Sequence, residues 1–507
     1  MHTPRAFTCA FSGLLGLALA AGCGDDNNTS GSASQGSSST TTPNSTGPEP
    51  TTGSVPTTSA SASATEGSAS ATEGQTTGGA TTSTSSTGEP GTSSTGGSTG
   101  QVTASTGVGS SSTGGPDTTS GGSSTTGDPP PACQPGDTGG MGMVEKSYLW
   151  VANTDQGSIS KVDTQAIKEI ARYRSGPSGG TESPSRTAVS VDGRFVIVNG
   201  RGTGRTTMIA ANLEDCVDKN GNGMIETSQN KDDLRAWDTD ECVRWSIVHP
   251  FKGDIGSGPR GVTWTPGTWD EDLCQFVNPK VWVGYLPVAN ATAHMVRLNG
   301  LTGALEETVT IPNWVIGDTF WGPYGAALDK NLDVWFTGLR GELFRVNTKN
   351  NPANFDRWAP PGNLQFYGMT VDPDGDPWFG GCGGPVSTFN PMTQQFTAVA
   401  GTNACYRGLA ADKIGNVWVA SNGPCGVVQI DHKTNTLKQF HNLNPCLTPV
   451  GVSVDDEGYV WVVDESVGAW KIDPMNPANK QLINIAGDHY TYSDMTGGQL
   501  KSVVLPQ

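Results

Sequence analysis

Basic residues are scarce in this chain, and one long region has none. Lys and Arg number 30 against 48 Asp and Glu, a formal net charge of −18. Eight acids and one base lie before residue 133, leaving 40 and 29 after it. Such an acidic balance argues against nucleic acid and anionic membrane surfaces as electrostatic partners. Between residues 24 and 132 there is no Lys, no Arg and no aromatic side chain. A segment made almost only of Ser, Thr, Gly, Pro and Ala cannot bury enough apolar surface to offset its ordering entropy. It is expected to be a disordered tether over 23–132, with a span of roughly 60 Å as a Gly/Ser coil. No apolar run reaches the length of a membrane span. No C-x2-C pair offers zinc a structural site, and neither H-E-x-x-H nor a phosphate loop is present.

What is there is a repeat. GPYGAALDKNLDVWF starts at Gly322, QFYGMTVDPDGDPWF at Gln365, CYRGLAADKIGNVWV at Cys405 and TPVGVSVDDEGYVWV at Thr448. Trp335, Trp378, Trp418 and Trp461 share one slot, 43, 40 and 43 residues apart. A β-rich period near forty points to a repeat architecture. Each unit reads as a small-residue strand, an Asp-led turn, an aromatic-rich strand, an alternating strand such as GVVQID, and a weaker fourth. Four antiparallel strands make one propeller blade, and one blade cannot bury both of its faces alone. Three earlier units bring the count to seven. GPRGVTW from Gly258 leads to Trp282 in the slot; SRTAVSVDGRFVIVNG carries Val196 there; SYLWVAN carries Trp150. The expected fold is therefore an all-β, seven-bladed propeller over 133–507. The unit at Trp150 lacks a first strand, and QLKSVVLPQ at the other end is expected to supply it and close the ring.

Residues 1–22 read as an export signal: a short basic start, then an apolar run ending Ala21-Gly22-Cys23. Small residues before a Cys resemble a bacterial lipoprotein processing site. That resemblance implies a lipid on Cys23 and a protein held on a membrane in the cell envelope, outside the cytoplasm, at the outer membrane or cell surface. An ordinary cleaved signal is the other reading. Eight cysteines remain after Cys9 and Cys23, an even number that suits disulfides in an oxidising compartment. Cys382 and Cys425 follow second strands, and Cys405 and Cys446 precede first strands, which puts all four on one face. Cys382–Cys405 and Cys425–Cys446 are expected, with Cys405–Cys425 as the rival pairing. Cys133 and Cys274 are left without an assigned pairing.

An insertion at 212–242 interrupts the second unit, and Cys216 with Cys242 would pin its base. Inside it Asp218, Asn220 and Asn222 occupy positions 1, 3 and 5 of a loop, with Gly223 at 6 and Met224 at 7. Hard oxygen ligands at alternate positions suit calcium in a structural role. Position 12 is Gln229, so Asp232 or Asp233 is expected to supply the remaining charge. An Asn-Gly turn without metal is the alternative.

GPYGAALDKNLDVWFTG and GLAADKIGNVWVASNG resemble the streptogramin B lyase (virginiamycin B lyase) family. That resemblance covers 322–473 well, and its motifs are those that build blades. It implies a seven-bladed propeller and a magnesium-dependent ring-opening elimination with a His before a first strand and a Glu after Trp-Phe-Thr. Here the His slots hold Arg260, Tyr324, Tyr367, Arg407 and Val450. The Glu slots hold Tyr285, Gly338, Gly381, Ser421 and Asp464. His249, His441 and His489 lie in loops between blades without the family's motif. His249, His489 and Asp464 are the candidates if chemistry survives, with magnesium as cofactor. The entry loops are instead aromatic and basic. Arg260, Trp321, Tyr324, Tyr367, Tyr406, Arg407 and Tyr490 are expected to gather around the channel, either exposed and suited to stacking on a sugar or clamping a peptide, or packed against neighbouring blades away from any ligand. The preferred reading is a monomeric, membrane-tethered binding or scaffold module; the alternative is a lyase-like enzyme or other hydrolase with a rearranged face.

Overall fold

The computed structural model describes residues 147–273, 275–288, 291–314 and 321–504. The signal segment, Cys23, the tether, Cys133 and Cys274 lie outside them. The described chain forms seven antiparallel blades, one per repeat; the pairing of Cys382 with Cys405 joins the sheets of blades five and six, and Thr268–Asp270 with Gln275–Val277 makes a separate hairpin. Blade one has three strands, Tyr148–Asn153, Ser158–Asp163 and Lys168–Arg174. Blade two starts at Pro184, blade three at Val262, blade four at Pro323, blade five at Phe366, blade six at Ala404 and blade seven at Pro449. Each of these has four antiparallel strands running outward from a first, inner strand. Among the described residues no helix is long and apolar enough to cross a membrane.

The repeat wording has a physical cause. In blades four to seven an Asp sits six residues before the slot Trp, and its carboxylate accepts the indole N–H. The distances are 2.9 Å for Asp329–Trp335, 2.9 Å for Asp372–Trp378, 2.7 Å for Asp412–Trp418 and 2.8 Å for Asp455–Trp461. The other carboxylate oxygen accepts backbone N–H groups of the turn, from Asp333, Asp376, Asn416 and Tyr459. One buried side chain thus fixes both the turn and the rotamer of the largest core residue. Blade two has Ser190 in the Asp place and Val196 in the Trp place. Ser190 Oγ still accepts the N–H of Phe195, at 3.0 Å, and no indole needs an acceptor.

Glycine in the inner strands answers to close approach. A Cβ on Gly408 would lie 2.5 Å from the Val450 carbonyl of the next blade, and one on Gly368 would lie 2.6 Å from that of Arg407. Neighbouring inner strands pack backbone to backbone there.

Ring closure differs from the sequence expectation. Residues Gly498–Val504, which take in QLKSVV of that segment, form a helix, α1, not a strand. Closure falls to the segment just before it. Tyr492–Asp494 pairs parallel with the inner strand of blade two, Tyr492 opposite Arg186. Trp150 N donates to Met495 O at 2.9 Å and Thr154 N to Asp488 O at 2.7 Å. The helix forms because Asp494 gathers the N–H groups of Gly497 and Leu500, at 2.8 and 3.0 Å. Leu500 and Val503, three apart, then bury one helical face. Gln499 Nε2 donates to Leu328 O at 2.9 Å, so α1 lies against the far ends of the inner strands.

The disulfides fall as the loop argument requires: Cys216–Cys242, Cys382–Cys405 and Cys425–Cys446. The rival Cys405–Cys425 is excluded. Two of the bridges staple blades five, six and seven in series, each worth about 3 kcal/mol by loop-closure entropy.

Replacing Asp455 by Ala removes the buried acceptor of Trp461 and should cost roughly 1–3 kcal/mol, read as a lower urea midpoint. Asp455→Asn keeps one acceptor oxygen and should cost less. Equal stability of Asp455→Ala and wild type would show that the clamp carries no weight.

Candidate functional site

Inner strands carry a register irregularity near their start, after Pro184, Pro323, Phe366, Tyr406 and Pro449. Such bulges re-aim a side chain, and here they set Tyr324, Tyr367 and Arg407 at the channel mouth. The closing segment adds Tyr490 and Tyr492. The four phenols meet: Tyr490 Oη lies 2.6 Å from Tyr324 Oη and 2.5 Å from Tyr367 Oη, and Tyr492 Oη lies 3.4 Å from Tyr367 Oη.

Guanidinium groups surround this cluster. Arg186 stacks 3.9 Å over Tyr492 and 4.6 Å over Tyr324. Arg260 lies 5.0 Å over Tyr324 and 4.4 Å over Trp321; Arg201 lies 4.4 Å over Tyr490. Arg407 donates to Tyr492 Oη at 3.3 Å and sits 4.0 Å from Glu465. Burial raises the Tyr492 phenol above its ordinary value, so it faces the cations as a neutral phenol.

Most of the expected mouth residues lie together, and they are packed rather than exposed. Arg260 and Tyr324 are 0% exposed, Tyr490 4%, and Trp321, Tyr367 and Arg407 8% each. The closing segment folds back over the mouth and covers them. Tyr406 is buried elsewhere, in the core of blades five and six with Trp378 and Val399. Arg186 and Arg201 are not among the residues expected at this site. Arg186 follows Pro184-Ser185 where the matching Pro-x-Gly of blades four and seven has Gly325 and Gly451, and that exchange is a readable signal.

The catalytic candidates do not converge. His249 is buried, 2.8 Å from Thr206 Oγ1 and packed on Tyr285 with ring centres 4.9 Å apart. Burial pushes its imidazole down to about 4. His489 is fully buried between Asn153 Oδ1 at 3.0 Å and Ile485 O at 2.9 Å, and burial lowers its pKa as well. Asp464 accepts the N–H groups of Leu447, Thr448 and Ser466, which makes it a turn anchor. No side-chain hydrogen bond joins any two of these three among the described residues.

In the insertion, Asp218 accepts from Gly221 N at 2.6 Å and Gly223 N at 2.7 Å, and the latter bond leads in holding its carboxyl below the ordinary value. Asn220 and Asn222 each accept from the N–H two residues on. Asp232 pairs with Lys231, and Asp233 accepts from Gln229 N. The acid under the loop is Glu241, which sequence reasoning missed. It accepts from Lys219 N at 2.8 Å and Glu226 N at 2.7 Å. Met224 is exposed at the loop tip.

Beside the mouth lies an open cleft of about 520 Å³, lined by Asn363, Gln365, Gly383, Gly384, Thr402 and Asn403 among others. Its walls mix backbone and amide groups with the apolar Pro385, Ala398, Val399 and Ala400, without a charged side chain. Gln365 stands two residues before Tyr367, so cleft and mouth share a face.

No family model matches the sequence, and no curated protein matches it. Solved structures similar to this chain include a streptogramin B lyase, at 16% identity over 63% of this chain and 87% of that one, TM-score 0.45. The virginiamycin B lyase of Staphylococcus aureus shows 14% identity over 63% and 93%, TM-score 0.44. AztD of Citrobacter koseri shows 12% identity over 68% and 96%, TM-score 0.43.

The depressed pKa of His249 gives a pH dependence with a definite sign. As pH falls below 6.5 the unfolded chain takes up a proton that the folded chain refuses until about 4. Stability is therefore full above 6.5 and falls by up to roughly 3 kcal/mol on acidification to pH 4. Denaturation curves of His249→Asn should be flatter than wild type across that window; equal slopes would contradict the buried neutral imidazole.

Proposed function

We propose that this protein is a non-enzymatic binding and scaffold module, tethered to a membrane through a lipid on Cys23 and working as a monomer. The three disulfides among the described residues point to an oxidising compartment outside the cytoplasm. One observation carries the reading. The mouth, where a propeller hosts its chemistry, is occupied by the chain's own Tyr490 and Tyr492, bonded to Tyr324 and Tyr367. A phenol titrating near 10 and a guanidinium are poor bases at neutral pH, and Arg260, Tyr324, Tyr367 and Arg407 hold the slots where the lyase resemblance implies a His. Ligand contact then belongs to the rim. The uncharged, amide-lined cleft beside Tyr367 and Arg407 suits a sugar or a peptide backbone, which offers many neutral donors and acceptors.

A glycan and peptide array probed with the full chain should give hits that weaken at least tenfold in Gln365→Ala and Arg407→Ala. Incubation with a streptogramin B and magnesium should leave the ring intact. Ring opening well above background would overturn the binding reading in favour of a lyase with His249 or His489 as base.

The insertion takes part as a calcium-ordered rim. Asp218, Asn220, Asn222 and the Met224 carbonyl are the donors, hard oxygens of the type calcium prefers, with Asp232 or Asp233 reaching in on binding. Calorimetry should register one calcium ion in the wild type and none in Asp218→Ala. Chelation should loosen proteolytic protection of 216–242 without opening the ring. No heat in the wild type excludes the site.

A further inference from the structure

The mouth contains a charge that the chain itself does not answer. Arg186 is 1% exposed. Its Nε donates to Tyr324 O at 3.1 Å. Its two terminal nitrogens have no hydrogen-bond acceptor, and no carboxylate lies within ion-pair distance of it, among the described residues. The nearest acids along the chain are Glu182, which pairs with Arg205 at 3.6 Å and accepts from Thr203 Oγ1, and Asp192, which accepts from Ser190 Oγ; the acid on the strand paired with that of Arg186 is Asp494. Its carboxylate is taken up by Gly497 N, Leu500 N and Ser453 Oγ. A buried cation with unmet N–H groups is costly unless something pairs with it. Stacking on Tyr492 and Tyr324 answers the face of the guanidinium, not its edge.

Arg186 also lines a cavity. It is about 10 Å³, with Tyr492, Ser493 and the backbone of Gly325, Gly368 and Gly408 among its other walls. That is room for one particle near the size of a water molecule. The walls hold no carboxylate. Arg407, which donates to the phenol of Tyr492, adds a second positive charge nearby.

We propose that this cavity holds one small monovalent anion of the halide class, bound edge-on by Arg186 at the propeller axis. Charge selects an anion over water, because water satisfies the N–H groups and leaves the charge. Size selects a monatomic ion over carboxylate, phosphate or sulfate. The site is independent of the ligand assigned to the cleft. Its role is to hold Tyr492, and with it the closing segment, in the ring.

Thermal unfolding of the full chain in chloride, bromide and gluconate at equal ionic strength tests this. Gluconate is too large for the cavity. The midpoint should be higher in chloride and bromide and rise by roughly 2 °C per tenfold halide, as binding to the folded state alone requires. Arg186→Gln should abolish that rise. Equal midpoints in all three anions, or a halide rise that survives in Arg186→Gln, overturns the proposal. If Arg186→Gln does not fold, wild-type crystals grown in bromide decide it. An anomalous peak beside the Arg186 guanidinium supports the site, and a cavity without one overturns it.

Discussion

A carboxylate accepting an indole N–H six residues on is the constraint from which the architecture follows. It recurs in blades four to seven at 2.7–2.9 Å. The bond sits where the first strand turns into the second, so it sets hairpin register and places the largest core side chain together. A buried carboxylate is expensive, and burial raises the pKa of Asp455. The turn amides and the indole offset that cost only if the whole group forms at once. That is why Asp, turn and Trp stay at fixed spacing while strand sequences drift. In blades one and three the slot is filled by Trp150 and Trp282, whose indole nitrogens find no acceptor among the described residues. Those are also the blades whose repeats are hardest to read.

Much of the fold was legible because it is local. The Trp spacing places blades, the loop type of four Cys places two bridges, and the base of the insertion places a third. The insertion reads as a break between two strands and falls between Arg205–Ala210 and Val243–Val248. What escaped was non-local. QLKSVV alternates well enough for a strand, yet Leu500 and Val503 also suit a helix. Asp494, outside the segment, decides by capturing the N–H of Leu500. Likewise the sequence identifies Tyr324, Tyr367 and Arg407 as neighbours around an axis. It does not reveal that Tyr490 and Tyr492 fold over them, since that needs partners 123 and 166 residues away. Exposure is a property of the closed ring.

The same closure ties shape to activity. A propeller presents its inner loops to whatever enters the channel. In this chain the entering element is its own segment 488–495, followed by α1 at the other end. The inner surface is thereby committed to structure, and variation is left to the rim: the blade-five cleft and the 212–242 insertion. The two rim features differ in kind. One is an uncharged cleft of amide and apolar groups, and the other a polar loop standing on a buried Glu241.

The seam of the ring also imposes an order in time. Asp155 in blade one accepts the N–H of Asp488, a contact across 333 residues. A chain emerging from one end has made every other blade before that partner exists. Until then Tyr148–Asn153 stands with its inner edge unpaired, the kind of edge that recruits other strands. Closing a loop of that length is an entropic step that no nearby contact can assist. The last stage of maturation is therefore a single search by residues 488–495 for a groove already built. During that interval an incomplete chain carries an unpaired strand edge of the kind that associates with other chains.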